Sequence, residues 1–322
     1  MSLIGGIYEC AEGNCNSSHR AASARYNSDV QSHRRPLRTF LPIAAVVAAM
    51  VSVQSGASLA KSLFPIAGPV GMVTVRIGFG TLILCAVLRP WRARMTRQAL
   101  LPLVAYGLAL GTMNFLYYQA LDRLPVGVAV AIEFLGPLTV AVFSSRRPID
   151  FLWVLIATVG FTLLLPIFSQ VRHANLTGAL FALGAGSCWA LYIVFGQRVG
   201  YHLGTQGVAL GSIISAALIV PFGLMHARPN LFTPQVLLPG LAVAVLSTAL
   251  PYTLEMTALT RLPTRTFGVL MSLEPAIAAL SGLIFLGESL SGEQYGAILL
   301  VVVASLGATT TASPHVPAPV PD

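Results

Sequence analysis

Apolar runs long enough to cross a membrane recur along this chain, separated by short polar breaks, and they leave few folds open. A helix needs roughly 20 predominantly apolar residues to cross the hydrocarbon core. In lipid every backbone polar group must be paired within the protein, so only helices and closed barrels span. Barrel strands would alternate apolar and polar residues over about 10 positions. Stretches such as LPIAAVVAAMVSV (41–53) and GAILLVVVASLG (296–307) do not alternate. The chain therefore reads as an all-α integral membrane protein. Composition agrees, since only 9% of its 322 residues are charged, against about 25% in soluble domains.

A net charge of +8 would suggest nucleic acid in a soluble protein. Here nearly all of it sits on arginines flanking apolar runs, which points to orientation in a bilayer and to no nucleic-acid partner. Four cysteines give no framework: Cys10 and Cys15 lie in the N-terminal segment, while Cys85 and Cys188 stand singly in apolar runs. No disulfide and no metal site is expected. Residues 1–38 hold Ser, Asn, Arg and His without periodicity and read as a disordered tail lacking the apolar core of a signal peptide. Residues 312–322 read as a second tail.

The runs and their punctuation predict ten spans near 40–62, 69–88, 99–120, 125–144, 150–168, 175–196, 205–226, 234–258, 263–286 and 292–311. The breaks hold boundary residues, among them Phe64-Pro65, Arg89-Pro90, Leu124-Pro125, Arg147-Pro148, Arg228-Pro229 and Leu262-Pro263. Alternate sides of such a path differ in charge. One side receives fourteen arginines, at 20, 25, 34, 35, 38, 89, 92, 94, 97, 146, 147, 198, 261 and 265. The other receives only Lys61, Arg123, Arg172 and Arg228. Both termini are then cytoplasmic, which requires an even number of spans.

The chain also repeats. ALDRLP at 120–125 returns as ALTRLP at 258–263, and at the same offset of 138 residues Pro137 falls on Pro275 and Ala141 on Ala279. Two five-helix halves follow, over 39–168 and 175–311. Because five is odd, the halves cross the membrane in opposite senses, the inverted-repeat plan of many secondary transporters.

Charged residues within the spans are few: Lys61, Arg76, Glu133, Glu255 and Glu274. An ionisable group at a helix centre costs about 2.5–3.5 kcal/mol on insertion scales, so it should face the bundle interior or water. Pro137 cannot donate to the carbonyl four residues back, which belongs to Glu133 itself. In the eighth span Ser247, Pro251 and Glu255 are spaced by four, beside Thr248 and Tyr252, and together predict a substrate-facing stripe. Glu274 directly precedes Pro275. Further polar candidates are Gln54, Asn114, Tyr118, Trp189 and Tyr192, for which stitching helices together is the plainer role. For the glutamates, pairing with Arg76 or capping a kink stands as the plainer alternative. GLALG (107–111), GVALG (207–211) and Gly184-Ala185-Gly186 read as close-packing sites. No HExxH pair, phosphate loop or nucleophile elbow occurs, which argues against an enzyme and against a bound cofactor.

Four stretches carry a family resemblance: SVQSGASLAKSLFP (52–65), GPLTVAVFSSRRPIDFLWV (136–154), LTGALFALGAGSCWALYI (176–193) and LSTALPYTLEMTALTRLPTRTFGVLMSLEP (246–275). On these the chain resembles the drug/metabolite transporter superfamily of two EamA-type five-helix repeats. Within it, the chain is most similar to bacterial inner-membrane exporters of small amino acids. The resemblance implies export of small hydrophilic amino acids, threonine and homoserine among them, with protons as the coupling ion. Its members often end the fourth helix of a half in Leu-Gly-Glu. The second half keeps this as Leu286-Gly287-Glu288, while the first has Phe143-Ser144-Ser145-Arg146-Arg147. The residues expected to bind substrate or proton are Glu133, Glu255, Glu274, Arg76, Gln54, Asn114, Tyr118, Trp189, Tyr192 and Tyr252.

Overall fold

The computed structural model describes residues 41–143, 148–164, 176–226, 228–259 and 270–311, and among these the regular elements are helical. Both tails, Arg146, Arg147, Arg172 and the connection holding Arg261, Pro263 and Arg265 lie outside the described residues. In chain order the helices are α1 (Leu41–Ser62), α2 (Phe64–Leu88), α3 (Arg97–Leu121), α4 (Val126–Glu133), α5 (Leu135–Phe143) and α6 (Pro148–Leu164). They continue as α7 (Leu176–Leu203), α8 (Gln206–His226), α9 (Pro234–Ala244), α10 (Leu250–Leu259), α11 (Glu274–Leu286) and α12 (Gly292–Thr311).

Six of these segments are long and apolar enough to cross a membrane: α1, α2, α3, α7, α8 and the α9–α10 run Pro234–Tyr252. Four shorter apolar helical stretches lie at Val126–Val140, Phe151–Leu163, Glu274–Leu286 and Gly292–Gly307. Polarity is distributed in the reverse of a soluble protein. Phe151, Leu101 and Phe285 stand 80%, 77% and 60% exposed on the outside, whereas Gln54, Arg76, Asn114, Glu133, Ser215, Ser247 and Glu274 are buried within. Such a surface suits hydrocarbon, and the chain is a multi-pass membrane protein.

Helix ends and breaks follow local chemistry. Arg89 closes α2 in the left-handed region (φ 50°), its N–H donating to the Cys85 carbonyl at 3.0 Å, and Pro90 follows. Within α2, Gly68 leaves helical geometry (φ 72°) just before Pro69, so the regular part begins where the sequence places the second span. The fourth span is divided at Phe134, between Glu133 and Leu135, as the missing N–H of Pro137 predicts. A turn at Ser272 and Leu273 precedes Glu274 and Pro275. The eighth span is broken too, by a five-residue wide turn, Val245–Ala249, ahead of Pro251.

α3 packs along α7 and α8, α2 along α8 and α9, α4 against α11 and α7, and α6 against α12. Glycine permits the closest of these approaches. Gly107 and Gly111 of GLALG face Gly211, Ile214 and Ser215 of α8, so the two glycine motifs meet each other. At the α4–α5 break, a methyl on Gly136 would run into the Gly186 carbonyl, and one on Gly186 would meet the Glu133 backbone. The α7 backbone thus lies directly against the break that holds Glu133.

Gly186→Ala should therefore lower stability by about 1–3 kcal/mol through overpacking against backbone that cannot yield. Gly200→Ala on the same helix, with nothing within 4 Å of the added methyl, should leave stability within about 0.5 kcal/mol. Melting temperatures of the two purified variants in detergent make the comparison, and equal shifts would contradict it.

Candidate functional site

The buried polar groups of the spans gather in two adjoining sets. The first lies where α1 meets the break before α11. Gln54 of α1 donates from Nε2 to Glu274 Oε1 at 3.1 Å. Glu274 opens α11, and Glu133, at the end of α4, lies within its electrostatic reach. Glu255 of α10 is also in range of Glu274. Gln54 Oε1 and Glu274 Oε2 carry no hydrogen bond from the described protein groups, nor does the buried Tyr117 hydroxyl. Buried polar atoms are nearly always paired, so these three stand out among the buried groups of the spans.

The second set surrounds Arg76. A small cavity is lined by Arg76, Thr81, Asn114, Ser212, Ser215, Thr248 and Tyr252, with Ile77 and Leu110 as its apolar wall. Arg76 is 7% exposed. It donates from Nη2 to the Ser247 carbonyl at 3.0 Å and lies 3.5 Å from Thr248 Oγ1 through Nε. Its guanidinium sits over the Tyr118 ring, 5.5 Å from the centroid, and within electrostatic reach of Tyr252 and Glu133. Asn114 Nδ2 donates to the Leu110 carbonyl at 2.8 Å, and Ser215 Oγ has no hydrogen-bond partner among the described residues.

Eight of the ten residues singled out from sequence thus fall into these two sets: Glu133, Glu274, Gln54 and Glu255 in one, Arg76, Asn114, Tyr118 and Tyr252 in the other. Trp189 and Tyr192 are not among the residues that line the cavity. Trp189 meets Phe134, the break residue, edge-on at 5.6 Å, and Tyr192 stacks on Tyr106 at 4.9 Å within an apolar cluster. Of the stripe read from the eighth span, Thr248 and Tyr252 reach the cavity wall, and Ser247, Pro251 and Glu255 are not among its lining residues. Ser247 contributes its carbonyl instead.

Thr81, Ser212, Ser215 and Ser281 were not singled out from sequence. Serines and threonines are common in spans as helix-to-helix ties, and the only signal was the spacing of three between Ser212 and Ser215. Ser281 pairs with Ser58 at 2.9 Å, one turn along α1 from Gln54. A further turn on, Lys61 Nζ donates to Glu288 Oε1 at 2.6 Å and to the Leu124 carbonyl at 2.5 Å. Glu288 Oε2 accepts the Val126 N–H at 2.8 Å, capping α4. Gly287, in the left-handed region (φ 64°), turns the chain out of α11 so that Glu288 can reach back.

The EamA-like transporter family model matches residues 176–310. The threonine/homoserine exporter RhtA of Salmonella typhimurium is 56% identical over 277 residues, 86% of this chain and 94% of that protein. Its counterpart in Escherichia coli K12 is 54% identical over the same shares. A probable amino-acid metabolite efflux pump of Salmonella typhimurium is 26% identical over 62% of this chain and 73% of its own. One solved crystal structure shares the fold at a TM-score of 0.59 and 22% identity, covering 85% of this chain and 98% of that one.

The Lys61–Glu288 pair can be tested by itself. Lys61→Met strands a carboxylate and Glu288→Gln strands an ammonium, whereas the double variant strands neither and keeps an acceptor for Val126. The two single variants should each melt lower than additivity with the double variant allows, by a coupling of about 1 kcal/mol. Strict additivity of the melting shifts would make the pair energetically idle.

Proposed function

The chain belongs to the EamA-like transporter family, and we propose that it exports threonine, homoserine and related small amino acids from a bacterial cell across the inner membrane, driven by protons. The names of relatives 54–56% identical over most of the chain support the substrate class. The observation that carries the mechanism is the placing of Glu133 and Glu274, two buried carboxyls in electrostatic reach of one another, each at a break in its helix.

A zwitterionic amino acid brings an ammonium group that a buried carboxylate can hold. A proton can occupy the same carboxyl, but not together with the ammonium, and this exclusion is the simplest basis for exchange of one against the other. Gln54 orients Glu274 through its amide, leaving the second carboxyl oxygen for a ligand. Pro137 and Pro275 each leave one carbonyl beside the break without its helical N–H donor, a polar group of the kind that lines transporter sites.

The ten-span inverted repeat is part of the same reading, and the packing pattern supports it. An exchange of halves sends α1 to α7, α2 to α8, α3 to the α9–α10 span, α4–α5 to α11 and α6 to α12. The packed pairs α2–α8, α4–α11 and α6–α12 then map onto themselves. Pairing of α3 with α8 maps onto α2 with α9, and α4 with α7 maps onto α1 with α11, each of which occurs. Pairing of α3 with α7 maps onto α1 with the α9–α10 span, where Ser52 donates to the Leu246 carbonyl and Gly56 lies against Ser247. The helix breaks at Phe134 and at Ser272 repeat the offset of 138 residues seen in the sequence. Two halves so related can rock about the buried polar centre, opening it to one side at a time. Both termini face the cytoplasm in this reading.

Glu133→Gln should lower export of labelled threonine from proteoliposomes by about tenfold or more at equal protein content and flatten its dependence on an imposed pH gradient. Export with an unchanged pH profile would remove Glu133 from the mechanism and leave it a structural group.

A further inference from the structure

Arg76 is the only ionisable residue that the sequence places near the middle of the second span, and the obvious role for it is to hold the substrate carboxylate. The geometry around α9 and α10 points elsewhere. In a regular helix the Leu250 N–H would bond to the Leu246 carbonyl and the residue after it to the Ser247 carbonyl. Here the Leu250 N–H reaches back one residue further, to Val245, and Pro251 has no N–H to offer. Two successive carbonyls thus lose their helical donors inside the protein. Both are answered from the first half of the chain. Ser52 of α1 donates from Oγ to the Leu246 carbonyl at 2.7 Å, and Arg76 of α2 donates from Nη2 to the Ser247 carbonyl at 3.0 Å. Close approach makes this possible, because Gly56 faces Ser247 and Gly80 faces Thr248 with no room for a methyl at either position.

We propose that Arg76 is a positioning residue for transport: it substitutes for the N–H that Pro251 lacks, and with Ser52 it holds the wide turn open so that Thr248 and Tyr252 face the cavity. A charged donor to a carbonyl is about twice as strong as a neutral one, which suits a group whose loss would leave a buried acceptor unpaired. The other charged or titratable groups around the guanidinium are Glu133, Tyr117, Tyr118 and Tyr252. This inference rests on the transport reading above for its kinetic test but not for its structural one.

The prediction is a specific epistasis. In Arg76→Met the Ser247 carbonyl loses its donor. In Arg76→Met/Pro251→Ala the new Ala N–H can take that carbonyl within the helix. Maximal threonine export by Arg76→Met should fall about tenfold with the half-saturating concentration changed less than about twofold, and the same Arg76→Met change made in the Pro251→Ala background should cost less than about twofold. Melting temperatures of the same four proteins, which need no substrate, should show the same non-additivity, with Arg76→Lys recovering most of the loss. Should Pro251→Ala fail to fold, Ser52→Ala provides the second probe: it should also lower the maximal rate while sparing half-saturation. A half-saturating concentration raised about a hundredfold by Arg76→Met, with the same factor in both backgrounds, would make Arg76 a ligand of the substrate and overturn the proposal. If the unaltered protein exports no threonine, the substrate assignment falls while the melting cycle still decides the role of Arg76.

Discussion

No water reaches the middle of a bilayer to pair a backbone carbonyl that its own helix leaves open, so the protein has to supply the partner. Pro251 creates that demand at Ser247, and the Arg76 guanidinium meets it. The consequences extend through the fold. An arginine in a span is costly unless it is enclosed and paired, so α2 must approach the α9–α10 break closely, and Gly80 lets it. The Tyr118 ring closes over the guanidinium from α3. A single missing N–H in the second half of the chain thereby fixes a charge, a glycine contact and an aromatic lid in the first.

The other breaks follow the same logic with different partners. The α4–α5 break sets the Glu133 backbone against Gly186, where the lack of a side chain lets α7 lie alongside. The break before Glu274 leaves that carboxyl beside Gln54 of α1. In each case the broken segment belongs to one half of the chain and the residue that accommodates it to the other. Contacts between the halves are polar or glycine-mediated at the breaks, and away from them Ser58 with Ser281, Lys61 with Glu288 and the two glycine motifs of α3 and α8 add contacts of the same kinds to the apolar packing. A ligand entering at the breaks meets backbone and side-chain polarity together, while the outer faces of the same helices stay fit for lipid.

Much of this was legible in the sequence because the controlling signals are local. Apolar run length and Pro-marked boundaries located the helices, and Gly68 with Pro69 explains why the second span is regular only from that point. The rarity of charge in the spans made Glu133, Glu274 and Arg76 stand out. The wide turn at Val245–Ala249 was not legible, since it has no distinctive residue of its own and proline predicts a break without predicting its width. Nor were the partners of Lys61 and Glu288, which are brought together across 227 residues by the path of α11 and the turn at Gly287. Ser212, Ser215 and Thr81 were hidden by their ordinariness: a hydroxyl in a span is informative only once its neighbours are known.

The contacts of α1 with α11 and the turn that follows it run from enclosed to partly exposed along one helix face. Gln54 and Glu274 are nearly closed off from solvent, Ser58 and Ser281 likewise, while Lys61 and Glu288 retain about a fifth and a sixth of their side-chain surface. Lys61 and Glu288 are thus the least enclosed of the three pairs. Separating Gln54 from Glu274 exposes groups to a low-dielectric interior that offers no replacement for the lost contact. In the proposed transport cycle, opening between α1 and α11 meets its largest cost at Glu274, unless a ligand arrives there to take the place of the amide. The opposite face of α1 is tied to the wide turn through Ser52 and Gly56, so one helix carries both the Gln54 contact with Glu274 and the contacts that meet the break in the α9–α10 span.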